Sequence, residues 1–135
     1  MQGSSWREIE HTADWALEVW GSDQADLFRN AALGMAALLR GRASGARQEK
    51  RFHLEAPDAE TLLVDWLSEL LFWLEQGGLV LEDVKIQSMT KAGLVGRATG
   101  RVGTDLVRHI KAVTFNELAI LPTDHGVKTT IVFDV

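Results

Sequence analysis

No cysteine occurs anywhere in the chain, which excludes a disulfide scaffold, a zinc ribbon and a thiol nucleophile. An excess of positive charge is also missing: the formal net charge is -5. Tight binding to a phosphate backbone relies on Lys and Arg displacing condensed counterions, so strong direct RNA binding is not expected. Basic residues nevertheless cluster locally, at Arg40, Arg42, Arg47, Lys50 and Arg51 and again at Arg97, Arg101, Arg108 and Lys111. They read as solvated loop and strand faces or as a local basic patch. The chain also lacks a long apolar run. Its most apolar stretch, Leu62 to Leu81, is interrupted by Asp65, Glu69, Glu75, Gln76, Gly77 and Gly78, which is wrong for a membrane span. Met1 to Glu10 is polar and carries both charges, unlike a secretory signal, so a soluble, cytoplasmic protein with no membrane partner is expected.

Two catalytic signatures are absent as well. The glycines of Gly93-Leu94-Val95-Gly96 and of Gly100 to Gly103 lack the strand, loop, helix order and the Gly-Lys-Ser/Thr ending of a phosphate loop. No Gly-x-Ser-x-Gly elbow or Ser-His-Asp order appears, so nucleophilic hydrolysis has no evident carrier. There is no internal repeat or low-complexity segment.

What is present is an ordinary globular composition over 135 residues, 46% hydrophobic and 24% charged, which predicts one domain spanning residues 1–135. Short apolar, aromatic-rich runs at Trp6 to Glu10 and Ala16 to Trp20 suit strands flanking a turn at His11-Thr12-Ala13-Asp14. Ser22 or Asp23 is a helix cap, and Phe28, Ala31, Ala32, Met35, Leu38 and Leu39 recur at helical spacing until Gly41. Gly41 to Lys50 reads as a loop, and the alternation of Phe52, Leu54 and Ala56 with charged neighbours reads as a strand. Asp58 caps a second helix whose apolar stripe runs from Leu62 to Leu74 and whose stop is Gly77-Gly78.

Beyond that point only strands are predicted: Leu79 to Ser88, Leu94 to Val102, Val107 to Phe115 and Val127 to Asp134, with a turn at Pro122 to Gly126. Short turns between consecutive strands favour antiparallel pairing. The expected class is α+β: a two-layer fold with a mostly antiparallel (mixed) sheet and two helices packed on one face.

The candidate chemistry lies at the two ends of the chain. Asp134 follows the strand-like Ile131-Val132-Phe133, whose alternation puts it on the opposite face from Ile131 and Phe133. Such a strand would hold Asp134 and the terminal carboxylate of Val135 in place. If Asp14 meets them, three oxygen donors converge on a hard cation such as calcium or magnesium. The plainer alternative is that Asp14 makes an Asx-type turn and Asp134 is a surface residue. His11 has the near-neutral intrinsic pKa of a proton carrier or metal ligand, although a lone histidine is usually neither. His109 and Lys111 share one strand face, with Ile110 and Ala112 on the other, so both could point to one site or simply protect a sheet edge. Of the five tryptophans, Trp66 lies on the apolar helix stripe, and Trp73 lies off it, where it could be exposed at an interface.

Four separated blocks, in order, resemble the archease family: Glu10-His11-Thr12-Ala13-Asp14, Leu62 to Phe72, Ile110-Lys111-Ala112-Val113-Thr114-Phe115, and Val132-Phe133-Asp134-Val135. The resemblance implies an accessory factor, not itself an enzyme, that helps an RtcB-type RNA ligase in tRNA splicing or RNA repair. It would do so by promoting guanylylation of the ligase and hence multiple turnover. It further implies a divalent metal ion (calcium, with magnesium or manganese as alternatives) held by Asp14 and Asp134 with oxygen from Val135, a role for Lys111, and guanine nucleotide reached only through the ligase. The chain departs from the family pattern at Asn116, where many members have histidine, and at Trp15, where a smaller aliphatic residue is usual. Two other classes stay open: a metal-dependent phosphoesterase or nuclease using the same aspartates with His11 or His109 as base, and a chaperone-like interaction protein.

Overall fold

The computed structural model describes residues 5–10, 15–39, 41–104, 109–116 and 118–135. In chain order its elements are β1 (Trp6–Glu10), β2 (Trp15–Gly21), α1 (Gln24–Leu39), β3 (Arg42–Glu55), α2 (Ala59–Gly77), β4 (Leu79–Met89), β5 (Gly93–Thr104), β6 (Ala112–Thr114), β7 (Leu121–Thr123) and β8 (Gly126–Asp134). The class is α+β, as expected. The strands form two sheets, one ordered β1-β2-β8-β6 with β7 also on β8, the other ordered β3-β5-β4. Every described pairing is antiparallel. The antiparallel pairing of the second sheet has a topological reason. The α2 crossover sets β3 and β4 in the same direction, but β5 inserts between them and runs opposite to both.

Both helices begin at an aspartate. Asp23 accepts the backbone N–H of Asp26 at 2.8 Å, satisfying a donor left open at the start of α1, and Asp26 in turn accepts the N–H of Ser22 at 2.8 Å, tying the preceding turn to the helix. At α2, Asp58 accepts the Thr61 N–H at 2.7 Å, and Gly78 closes the helix in the left-handed conformation, φ 60°. The Thr61 N–H and then its hydroxyl hold the Asp58 carboxyl below the ordinary carboxylate value.

The core lies where the two helices meet strands of both sheets. Leu27, Phe28, Ala31 and Met35 of α1 and Leu63, Trp66, Leu67 and Leu70 of α2 are fully buried together with Leu17, Ile131 and Phe133. Trp66 donates its indole N–H to the Phe28 carbonyl at 3.0 Å and meets the Phe52 ring edge-on at 5.0 Å. Gly34 of α1 has a packing reason. A Cβ there would lie 2.8 Å from Trp6 Cγ and 2.7 Å from Leu17 Cδ2, so its bare backbone is what lets Trp6 approach the helix.

Four local expectations are corrected. Gly41 to Lys50 is not a loop: from Arg42 it is the first part of β3, because β5 is long enough to pair with it on either side of a bulge between Ala43 and Arg47. Within the described part of Val107 to Phe115, residues 109–115, the strand is Ala112–Thr114, since its partner β8 ends at Asp134, opposite Ala112; residues 105–108 lie outside the described residues. The segment from Pro122 to Gly126 is not all turn, because Leu121–Thr123 pairs back onto β8. Trp73 is half-buried against Phe52, at 6.4 Å between rings, and the exposed aromatic of α2 is Phe72, 62% accessible.

Candidate functional site

Strand β8 is paired on both sides along its last residues. Trp15 of β2 faces Phe133, and Ala112 and Val113 of β6 face Asp134 and Phe133. Pairing on two sides fixes the terminal strand and, with it, the direction of alternate side chains. Ile131 and Phe133 are fully buried in the core, whereas Asp134 is exposed and Val135 half-buried. The other face is partly covered too, because Val132 and its partner Ala16 are buried there. Asp134 therefore sits at the rim of a covered sheet face rather than on a frayed end.

Lys111 is exposed, and its backbone N–H donates to the Asp134 carbonyl at 2.7 Å, which places the two residues side by side. His109 does not share that setting. Its Nδ1 lies 3.9 Å from Glu75 Oε2 on α2, and the expected alternation fails because Lys111 and Ala112 are both exposed between buried Ile110 and Val113. The chain is not yet strand at His109–Lys111, so side chains there need not alternate. Asn116 is exposed and donates its N–H to Thr114 Oγ1 at 3.2 Å, and Trp15 packs half-buried against the core.

His11 and Asp14 lie outside the described residues. Among the described residues no group of three or more His, Asp or Glu is gathered that could hold a metal ion. Of the oxygen donors expected to meet a cation, Asp134 and the adjoining Val135 are the ones that lie among the described residues.

The comparisons with known proteins agree with one another. The model described as Archease protein family (MTH1598/TM1083) matches residues 6–135. The chain belongs to the archease family. It is 33% identical to protein archease of Methanosarcina barkeri over 144 aligned positions, covering 99% of this chain and 98% of that one. It is 32% identical to protein archease of Archaeoglobus fulgidus, covering 96% and 98%. The solution structure of Methanobacterium thermoautotrophicum protein 1598 is similar with TM-score 0.70 at 28% identity, covering 98% of this chain and 100% of that one. The crystal structure of an archease from Thermotoga maritima, described as a possible chaperone, shares the fold with TM-score 0.66 at 24% identity, covering 96% of each chain.

Two surface features escaped the sequence reading of this archease-family chain. The family-like block of α2 is core on one side only; on the other, Asp65, Ser68, Glu69 and Phe72 line a depression of 530 Å³ with Leu54. Basic residues from the two separate clusters also meet. Arg51 of β3 stands opposite Arg97 of β5, and Arg97 stands opposite Lys85 of β4. The signal available was alternation: Arg47 and Arg51, like Arg97 and Arg101, are spaced to share one strand face. Only pairing could bring them into one row.

Proposed function

We propose that this chain activates an RtcB-type RNA ligase in tRNA splicing or RNA repair by promoting its guanylylation and multiple turnover, and that it does so with a divalent metal ion at the end of β8. The observation that carries the reading is the placement of Asp134, exposed at the end of a strand pinned on both sides, within an archease-family chain. Asp14 is covalently joined to Trp15, and Trp15 pairs with Phe133, the neighbour of Asp134. That connection is what supports assigning both aspartates to one ion.

Asp14 and Asp134 would hold the cation, with oxygen from Val135; calcium suits such a donor set, and magnesium or manganese are alternatives. Asp134 and Val135 alone fall short of the six to eight oxygens that calcium takes, so Asp14 would add to the set and water would supply the rest. When bound, the ion supplies positive charge that can neutralise phosphate oxygens during nucleotidyl transfer. The protein's own contribution is orientation: β6 pairs with Asp134 itself and β2 with its neighbour Phe133, and the bond from Lys111 places a cationic residue next to it. The Lys111 ammonium can balance the carboxylates or meet a phosphate. The ligase is the proposed partner, guanine nucleotide is met only through it, and the setting is cytoplasmic.

The test is guanylylation and multiple turnover of the ligase with and without this protein, repeated with Asp14→Ala, Lys111→Ala and Asp134→Ala. The wild-type protein should restore turnover and each variant should lose most of that effect. An Asp14→Ala or Asp134→Ala variant that restores full turnover overturns the reading, as does cleavage of phosphoesters or RNA by the protein alone with manganese.

A further inference from the structure

The outward face of the sheet β3-β5-β4 carries side chains in cross-strand rows. Arg51, Arg97 and Lys85 form one row, flanked by His53, Val95 and Ser88 on one side and by Glu49, Thr99 and Asp83 on the other. Their chain neighbours on the opposite face are core: Phe52, Ala98 and Val84 are buried. With neighbouring strands about 4.8 Å apart, the row places three cations in line across roughly 10 Å.

Like charges directly opposite each other on a sheet are destabilising, so the row calls for a compensating anion. The protein supplies little. Glu49 reaches Arg97 only at 3.9 Å, Glu82 is engaged by Arg101 at 2.9 Å, and Asp83 by Arg29 of α1 at 3.1 Å. Among the described residues Arg51 and Lys85 have no ion-pair partner. Both are exposed, and the face is dished: Arg47, Lys85, Arg97 and Thr99 border a depression of 220 Å³ together with Glu49, Glu82 and Asp83.

We propose that this face binds the phosphate backbone of single-stranded RNA, with Arg51, Arg97 and Lys85 each meeting a phosphate. A line of cations at strand spacing suits a repeating anion better than one isolated phosphate. The adjoining row adds what an acidic peptide would not need. His53, 74% exposed at its side chain, offers a ring for stacking, Val95, 36% exposed, offers apolar surface beneath a base, and Ser88 offers a hydroxyl within the same row. The neighbouring carboxylates and the overall acidity keep this binding weak and salt-sensitive, which is compatible with the absence of a long basic groove. The site is separate from the Asp134 end and does not depend on any metal there.

The experiment is a fluorescence-anisotropy titration of a fluorescein-labelled single-stranded oligoribonucleotide with the full chain across a salt series. Binding at low salt should fall with a log–log slope of about -2, three phosphates at about 0.7 each. The triple variant Arg51→Gln, Lys85→Gln, Arg97→Gln should weaken it at least about tenfold and flatten the slope. Arg7→Gln, on the other sheet and paired with Glu18, should leave it unchanged. The triple variant should melt at or above the wild-type temperature, because like-charge repulsion has been removed. If it melts lower, the single variants Arg51→Gln and Lys85→Gln are read by the same criterion of weaker binding and shallower slope. Absence of salt-dependent binding, full binding by the variants, or displacement by polyglutamate as effectively as by unlabelled RNA overturns the proposal.

Discussion

Phe133 and Asp134 are consecutive residues on opposite faces of β8, and their replacement by alanine should have opposite consequences. Phe133 is fully buried and stands in register between Trp15 on β2 and Val113 on β6. Truncation of a buried Phe to Ala costs about 3–5 kcal/mol from lost transfer energy plus the cavity left behind. Trp15 is only half-buried and can relax inward, so the middle of that range, about 4 kcal/mol, is expected. That is a large share of a domain's typical ~5–15 kcal/mol. For a chain of 135 residues it corresponds to a fall in Tm of roughly 12–20 °C. Asp134→Ala, by contrast, removes an exposed side chain and should change stability by no more than about 0.5 kcal/mol. Urea unfolding of both variants, with the slope checked for constancy, measures the pair. Under the proposed function, calcium should raise the Tm of the wild-type protein but not of Asp134→Ala. A Phe133→Ala cost below about 1.5 kcal/mol, or an Asp134→Ala cost equal to it, would refute the assignment of faces at the terminus.

Gly34→Ala sets helix propensity against packing. Alanine gains about 1 kcal/mol in a helix, but its Cβ would press on Trp6 and Leu17, and overpacking costs about 1–3 kcal/mol, so a net loss of Tm is expected in a thermal melt. Trp66→Phe removes the indole donor to the Phe28 carbonyl and leaves a small void, lowering stability by about 1–2 kcal/mol in denaturant titration. Asp58→Asn tests the helix cap through pH. The Asp58 carboxyl is held below its ordinary value of 3.8, so its contribution is full above that value and is lost as pH falls through the lower, folded-state value. The stability gap between wild type and Asp58→Asn should accordingly narrow as acid unfolding profiles are taken below about pH 4.

The parts of this fold legible in the sequence are those governed by local rules. The caps at Asp23 and Asp58, the glycine stop at Gly78 and the apolar stripe through Leu63, Trp66, Leu67 and Leu70 depend on spacing and backbone chemistry within a few residues. The alternation of β8 likewise identified which face Asp134 takes. Elements that depend on a distant partner were misread. Arg42 to Lys50 has a loop-like composition and becomes strand only because β5 offers it a ladder, and β6 is shorter than its apolar pattern suggests because β8 runs out of partners at Asp134. Trp73 was misread for the same reason, since a position off the main stripe is half-buried when a ring such as Phe52 stands over it.

The candidate sites divide in the same way. Composition and motif by themselves determined an α+β chain without a thiol or phosphate-loop chemistry, and they drew attention to Asp134 and Lys111. Tertiary structure alone decided that Lys111 lies beside Asp134 while His109 turns toward Glu75, and that arginines from two distant segments line up with Lys85 across one sheet. The physical reason is range. Helix caps and strand alternation are fixed by covalent geometry over a few residues, whereas a site assembled across a ladder exists only once long-range pairing sets the register, and a shift of one residue in that register would turn the Arg51, Arg97 and Lys85 row away from solvent.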